Sequence, residues 1–386
     1  MTGGARPAAE PLRLVVTGGG TGGHLYPGLA IARAVVALDA GIEPVFVGAH
    51  RGIERDVLPT TEFRHALLDL HPFYRARPWE NWRTAVGGVR AWRALGALFA
   101  RERPRAVLGT GGYAAGAALA YAVAHGVPAM LQEADSFPGA TTRLVARRAA
   151  DVFLGFPEAA ARLRPGPRTR VHAFGNPIEP PPAAADREPA TAARRAWGFA
   201  PDAYVVLAFG GSQGARALNE ALGAWVSGAL PDGVALIWAT GRTQFEPYAA
   251  FDGAAEGRVR VVPYLAPMAR AYEAAGLAIT RAGAMTIAEL CAWGLPSVLV
   301  PLPTAAADHQ TRNARTLADA GAAVYLPQSE LSAARLASVV AELRTERARS
   351  DAMRAAALAR GRPDAAARIA RRVVDVLRAS RGADRA

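Results

Sequence analysis

Residues 12–28 read LRLVVTGGGTGGHLYPG, a short β-branched apolar run that opens into glycines and then, from Leu29 to Leu38, into a helical pattern. The order is strand, glycine loop, helix. It recurs at residues 204–222, YVVLAFGGSQGARALNEAL. Further strand-like runs at residues 45–48, 106–109, 128–131, 236–239, 259–262, 277–280 and 297–300 alternate with helix-length segments. That alternation predicts an α/β chain whose parallel sheets carry helices on both faces, arranged as two Rossmann-like domains facing across a cleft. The chain has 386 residues, too many for one ordinary core. The Pro/Ala-rich stretch PIEPPPAAADREPATAARR (177–195) reads as the connection, which puts the domains at 1–177 and 178–363. Residues 364–378 have apolar positions at helical spacing, a last helix suited to packing back on the first domain.

Composition removes several chemistries. All 45 basic residues are arginine, so neither a P-loop lysine nor a Schiff-base amine is available. A single cysteine, Cys291, allows neither an intrachain disulfide nor a Cys-based zinc cluster, and reads as a small core residue. The N-terminus lacks the basic and apolar regions of a signal peptide, and the apolar stretch 114–130 reads as a buried helix followed by a strand, so a soluble, non-integral protein is expected. The net charge of +12 attracts nucleic acid, anionic lipid and phosphorylated ligands alike.

Gly18, Gly20 and Gly23 satisfy G-x-G-x-x-G, but the second strand ends in GAHRG rather than in an acid that would hold an adenine ribose, which disfavours a dinucleotide. The second loop, GGSQG at 210–214, gathers glycines, a hydroxyl and backbone N–H groups at a helix start, the chemistry of a diphosphate site; a turn needing only glycine is the plainer reading. After the strand that ends at Thr280, a helix from about Met285 carries Glu289 in its first two turns. A carboxylate there can accept from the two vicinal hydroxyls of a ribose, or be a solvated charge favoured by the helix dipole.

GGTGGHLYPG, TGGYAAG (110–116), QEADSFPGATTR (132–143), GNP (175–177), GGSQGARALNE, YLAPM (264–268), RAGAMTIAEL (281–290) and DHQTRNA (308–314) occur in this order over most of the chain. Together they resemble the motif series of the MurG family of glycosyltransferases. The resemblance implies a GT-B fold and UDP-N-acetylglucosamine as donor; no cofactor is expected, and the lack of a D-x-D pair leaves a metal clamp on the diphosphate unsupported. It implies inverting transfer to the 4-hydroxyl of the muramyl sugar of undecaprenyl-diphospho-muramoylpentapeptide (lipid I to lipid II), at the cytoplasmic face of the plasma membrane. It assigns Ser212 and Gln213 to the diphosphate, the Leu265 backbone to uracil, Ala284, Met285 and Thr286 to the phosphates, Ile287 and Ala288 to the donor site, Glu289 to the ribose, and His309 with Gln310 to the sugar hydroxyls. Thr21, Gly22, Gly23, His24 and Tyr113 form the acceptor side, and Thr21, Gly22, Gly23 and Asp135 also border the donor. Two departures stand out: the family's HEQN reads QEAD here, with Asp135 in place of asparagine, and GNP is followed by Ile178 and Glu179 where the family carries an arginine.

Inverting transfer needs a base and a means to stabilise departing UDP. The sequence has no D-x-D pair. His24 is the favoured base, with Glu133 and Asp135 as rivals and a purely structural histidine as the plain alternative. The helix start at Ser212 and the cation Arg281 are candidates for stabilising UDP. Residues 71–105 interleave aromatics, among them Phe73, Trp79, Trp82 and Trp92, with arginines, a composition suited to an anionic membrane surface at about 1 kcal/mol per basic residue. Burial of those aromatics against the sheet is the alternative. Other functions that share parts of the pattern are a diacylglycerol glycosyltransferase, a UDP-sugar epimerase and a basic nucleic-acid-binding protein. The last leaves both phosphate-type loops unexplained and lacks zinc spacing or RNP-like aromatics.

Overall fold

The structure is a computed structural model that describes residues 11–69, 81–211, 214–228 and 230–383, excepting the side chains of 81–86, 113 and 381–383. The chain divides into two units, residues 1–178 with 364–386, and residues 179–363.

Unit 1 is built on seven parallel strands, β1 (Leu12–Thr17), β2 (Ile42–Ala49), β3 (Arg64–Leu68), β4 (Ala106–Gly109), β5 (Ala129–Glu133), β6 (Asp151–Leu154) and β7 (Arg170–His172), in the order β3-β2-β1-β4-β5-β6-β7. Unit 2 has six, β8 (Tyr204–Phe209), β9 (Val234–Ala239), β10 (Val259–Val262), β11 (Leu277–Thr280), β12 (Ser297–Leu299) and β13 (Val324–Tyr325), in the order β10-β9-β8-β11-β12-β13. Both sheets reverse their winding at the first strand, between β1 and β4 and between β8 and β11. Ligands of open parallel sheets bind beyond the carboxyl ends of the strands at such a switch point. Both glycine loops open there.

A strand covered on both faces is apolar through its centre, and in β1 Leu14, Val15 and Val16 are all buried. Alternation sends Val15 into a core with Val107 and Leu119, and Leu14 and Val16 into another with Leu25, Leu29 and Ile31. That second core is completed from the far end of the sequence. Ile369, Ala370, Val373 and Leu377 of the Ala365–Ala383 helix are buried in it, each large aliphatic side chain adding roughly 1.5–3 kcal/mol. The same helix is fixed by charge. Arg372 grips the fully buried Asp151 with two bonds, Nε to Oδ1 at 2.8 Å and Nη2 to Oδ2 at 3.2 Å, while His172 Nε2 lies 2.7 Å from the same carboxylate.

Two elements differ from the sequence reading. The first helix starts at Gly22, inside the glycine stretch, and runs to Leu38. Thr21 is extended and provides the break, and Pro27 lies early in the helix, where its missing N–H removes one bond. In the expected connection, residues Ala190–Ala196 form a helix that belongs to unit 2, because Arg194 Nε donates to Ala274 O (3.1 Å) and Trp197 Nε1 to Arg270 O (3.2 Å).

Candidate active site

In unit 1 the loop after β1 is locked from two sides. Glu54, fully buried in the short Glu54–Val57 helix beyond β2, accepts the Gly20 N–H at Oε2 (2.9 Å) and the Ala49 N–H at Oε1 (3.3 Å). A Cβ on Gly19 would stand 1.7 Å from Oε1 and one on Gly52 1.9 Å from Oε2, so both glycines serve as sockets for this carboxylate. From the other side, Thr110 Oγ1 donates to His24 O (2.6 Å). Gly112, at φ +78°, passes so close that a Cβ would meet Gly19 O at 2.0 Å. The His24 ring lies over Gly111, and its Nδ1 is 3.1 Å from the Thr21 hydroxyl. Thr21 and Gly23 are exposed, so the turn is braced beneath and open above. Glu54 was not singled out in the sequence; its signal was an acid just past β2 flanked by Gly48 and Gly52. An acid does follow β2, but it points into the glycine loop and occupies an N–H that a dinucleotide pyrophosphate would need.

QEAD and GNP form one brace. Gln132 Nε2 donates to Asn176 Oδ1 (2.8 Å), and Asn176 Nδ2 to Ala134 O (3.0 Å). Glu133, expected as a rival base, is buried with its oxygens accepting the N–H groups of Asp135 (3.2 Å) and Gly139 (3.0 Å) and a side-chain bond from Thr142. Burial raises its pKa, and the bond from Thr142 works against that. Those bonds brace the loop that leads into the Ala140–Val145 helix. Asp135 is half-buried at the rim of that loop. Tyr113 begins the Gly112–Ala124 helix, its side chain outside the described set.

In unit 2, Ser212 and Gln213 lie outside the described residues. The flanking Gly214, at φ +76°, sits where a Cβ would be 2.2 Å from Thr240 O, and the Arg216–Ser227 helix follows. Buried Asn219 ties that helix to the end of β9: its Nδ2 donates to Thr240 O (2.9 Å) and Gln244 Oε1 (3.0 Å), and its Oδ1 accepts from Trp238 Nε1 (2.9 Å). The sequence reading quoted Asn219 without giving it a role.

Beyond β11, Arg281 is buried. Its Nη1 donates to Val300 O and Pro301 O (both 3.1 Å) and its Nη2 to Gln328 Oε1 (2.7 Å). Burial lowers its pKa, and among the described residues it makes no ion pair. An uncompensated guanidinium beside a helix start favours an anionic ligand. Asn313 Nδ2 holds the turn through Ala282 O (3.4 Å), and the Ala284–Trp293 helix begins there. Ile287 is turned into the core with its N–H bonded to Gly283 O (3.0 Å).

Glu289 is half-buried and accepts a 2.7 Å bond at Oε2 from the hydroxyl of Tyr272, a buried residue of the Ala269–Ala274 helix that the sequence reading missed. Burial raises the Glu289 pKa; the Tyr272 bond opposes that, and Glu179, at the departure from the family pattern, adds to it. Burial and the neighbouring Glu289 hold the Tyr272 hydroxyl well above its usual range, so it remains a donor. Leu265 is buried. His309 Nδ1 donates to Ala306 O (2.7 Å), which leaves Nε2 as an acceptor. Gln310 Oε1 accepts the Leu302 N–H (3.0 Å), leaving its amide N–H groups for a hydroxyl. Among the described residues no three His, Cys, Asp or Glu side chains converge on a metal-sized site.

Known proteins share the sequence and the fold of both units. Residues 14–154 match the glycosyltransferase family 28 N-terminal domain, and residues 205–369 the family 28 C-terminal domain. The chain is 40% identical over 372 residues to the UDP-N-acetylglucosamine--N-acetylmuramyl-(pentapeptide) pyrophosphoryl-undecaprenol N-acetylglucosamine transferase of Moorella thermoacetica, covering 92% of this chain and 96% of that one. It is 40% identical to the enzyme of the same name from Symbiobacterium thermophilum, covering 96% and 98%. Among solved structures it is similar to MurG of Acinetobacter baumannii, with TM-score 0.73 and 28% identity over 95% of this chain and 99% of that one. A putative UDP-N-acetylglucosamine 2-epimerase from Listeria monocytogenes, at 18% identity and TM-score 0.63, shares the fold. With both its domains matched and its motifs set on two sheets wound alike, the chain belongs to glycosyltransferase family 28, in the MurG branch of GT-B enzymes.

Proposed function

We propose that this chain transfers N-acetylglucosamine from UDP-N-acetylglucosamine to the 4-hydroxyl of the muramyl sugar of undecaprenyl-diphospho-muramoylpentapeptide, the lipid I to lipid II step of peptidoglycan synthesis. The observation that carries this reading is the donor half of the site. An arginine with no counter-ion among the described residues lies at the turn into the Ala284–Trp293 helix, and a carboxylate held by Tyr272 lies in that helix's second turn. Those are the groups that a diphosphate and a ribose need.

Unit 2 takes the donor and unit 1 the acceptor. His24 Nδ1 lies 3.1 Å from the Thr21 hydroxyl, and in the tautomer that donates there Nε2 serves as the base. The 4-hydroxyl oxygen attacks C1 of the donor sugar from the face opposite the phosphate and gives its proton to Nε2. The C1–O bond breaks, its electron pair passing to the β-phosphate oxygen of UDP. Arg281 and the helix-start N–H groups at Ala284 and Met285 meet that charge, without a metal ion. Asp135 and Glu179 accept hydrogen bonds where the family has a donor and a cation, so phosphate and sugar contacts fall to the other residues named.

The membrane reading draws on the Asn81–Glu102 helix. Val89 (57% exposed) and Trp92 (41%) lie one turn apart beside the exposed Arg90 and Arg93, and Trp92 also packs edge-on against Tyr121 at 4.9 Å. A groove of about 540 Å³ nearby is lined by Phe99, Arg103, Arg105, Tyr121 and His125. Phe99 is itself buried, whereas Phe73 and Trp79 and the side chain of Trp82 lie outside the described set. No helix among the described residues is long and apolar enough to cross a membrane. Sedimentation with anionic but not neutral vesicles is the expected behaviour; equal sedimentation with both would remove the arginines from it.

The test of function is transfer of labelled sugar to lipid-linked muramyl-pentapeptide, with UDP-glucose and excess chelator in parallel. Product from UDP-N-acetylglucosamine alone, undiminished by chelator, supports the proposal. Transfer only to diacylglycerol, or UDP release without product, would leave the fold and remove the cell-wall role.

A further inference from the structure

We infer that Glu54 is a positioning residue for the transfer: by holding the Gly20 N–H from beneath, its carboxylate sets the turn that presents His24. Glu54 sits inside the fold rather than on the substrate face. It is fully buried and is held by two main-chain N–H groups, at Gly20 and Ala49; among the described residues it makes no ion pair. A buried carboxylate without a cation is costly to keep, and here that cost is offset by the two main-chain N–H groups it fixes. Three glycines keep room for it. A Cβ at Gly19, Gly48 or Gly52 would lie 1.7, 2.9 and 1.9 Å from its atoms.

Gly20 is the residue before Thr21, whose hydroxyl touches His24 Nδ1, and it is in the left-handed region at φ +89°. A turn of that kind is soft unless its N–H is pinned. The pin here is Oε2 of Glu54, and the turn's other side is held by Thr110 on the His24 carbonyl. Loss of the pin lets Thr21 and the imidazole move together while the donor-binding residues of unit 2 keep their own supports. The inference rests on His24 acting as the base.

The experiment compares kcat and donor KM for the full-length wild type, Glu54→Gln, Gly52→Ala, His24→Ala and the double variant His24→Ala/Glu54→Gln, with lipid-linked muramyl-pentapeptide as acceptor. Glutamine keeps the shape but turns one acceptor into a donor that opposes an N–H. Gly52→Ala pushes the carboxylate from outside the loop, and is the second route if Glu54→Gln fails to fold. Both single variants are expected to lower kcat on the order of 10- to 100-fold with donor KM within about twofold, the scale of a misplacement near 1 Å. In the His24→Ala background Glu54→Gln should then change kcat by less than about twofold, since its effect passes through a group already gone. Equal factors in both backgrounds, a rise in donor KM with kcat kept, or unchanged turnover in both single variants would overturn the inference and leave the base assignment standing. Unchanged turnover in His24→Ala would overturn the base assignment and the inference with it.

Discussion

The two units wind their strands in the same order and place a glycine turn after the first strand of each sheet, yet they aim a buried or half-buried glutamate in opposite directions. In unit 1, Glu54 points inward and gives both oxygens to the backbone of its own loops. In unit 2, Glu289 stands in the second turn of the helix that follows β11; Tyr272 holds one of its oxygens, and among the described residues the other accepts nothing. The difference separates two tasks. A carboxylate that spends its lone pairs on main-chain N–H groups makes a rigid turn, which suits the placement of a catalytic side chain. A carboxylate fixed by one oxygen keeps the other for a ligand.

Each region can be broken separately. The largest effect is expected at His24: His24→Ala should lower kcat by about 10²- to 10⁴-fold, the range of a general base, with donor binding almost unchanged. Unchanged turnover would move the chemistry elsewhere. Next is the closure of unit 1 by the chain's last helix. Arg372→Ala leaves the buried Asp151 with His172 and Arg170 only, and should destabilise unit 1 by about 3 kcal/mol, read as a shift in denaturant midpoint, while UDP binding by folded protein stays intact. An unshifted midpoint would mean that the helix is held by its apolar face alone.

Glu289→Ala is expected to weaken UDP binding on the order of 100-fold, the loss of hydrogen bonds to a charged acceptor. The smallest effect is a shift in pH dependence. Burial raises the Glu289 pKa, and the ionised form is the one that accepts from ribose hydroxyls. Donor affinity is therefore full above that raised pKa and falls as pH drops through it, in a window above that of an ordinary glutamate. Tyr272→Phe removes the bond that opposes the shift, so the window should move further up; a downward move would show that Tyr272 does not stabilise the charge.

Much of this was legible in the sequence because β1, β8 and β11 are apolar on both faces and end in glycine or a helix start, a pattern with few alternatives. The ribose candidate Glu289 was legible for the same reason. Glu54, Tyr272 and Asn219 were not. Each acts across a distance in the chain, Glu54 on Gly20, Tyr272 on Glu289 and Asn219 on Thr240, and a buried polar residue is recognised by its partner rather than by its neighbours in sequence. Glu133 was singled out by its motif, while its bonds to the Asp135 and Gly139 N–H groups were not visible there. The last helix was visible as a period of apolar residues, but its lock on Asp151 spans 221 positions and no spacing reveals it.

The division of labour between the units is tested most directly by calorimetric titration of UDP-N-acetylglucosamine into His24→Ala and Glu289→Ala, each alongside its turnover. His24→Ala should bind the donor as the wild type does and fail to turn it over, whereas Glu289→Ala should lose the binding. Lost donor binding in His24→Ala together with wild-type binding in Glu289→Ala would contradict the assignment of donor and base to separate units.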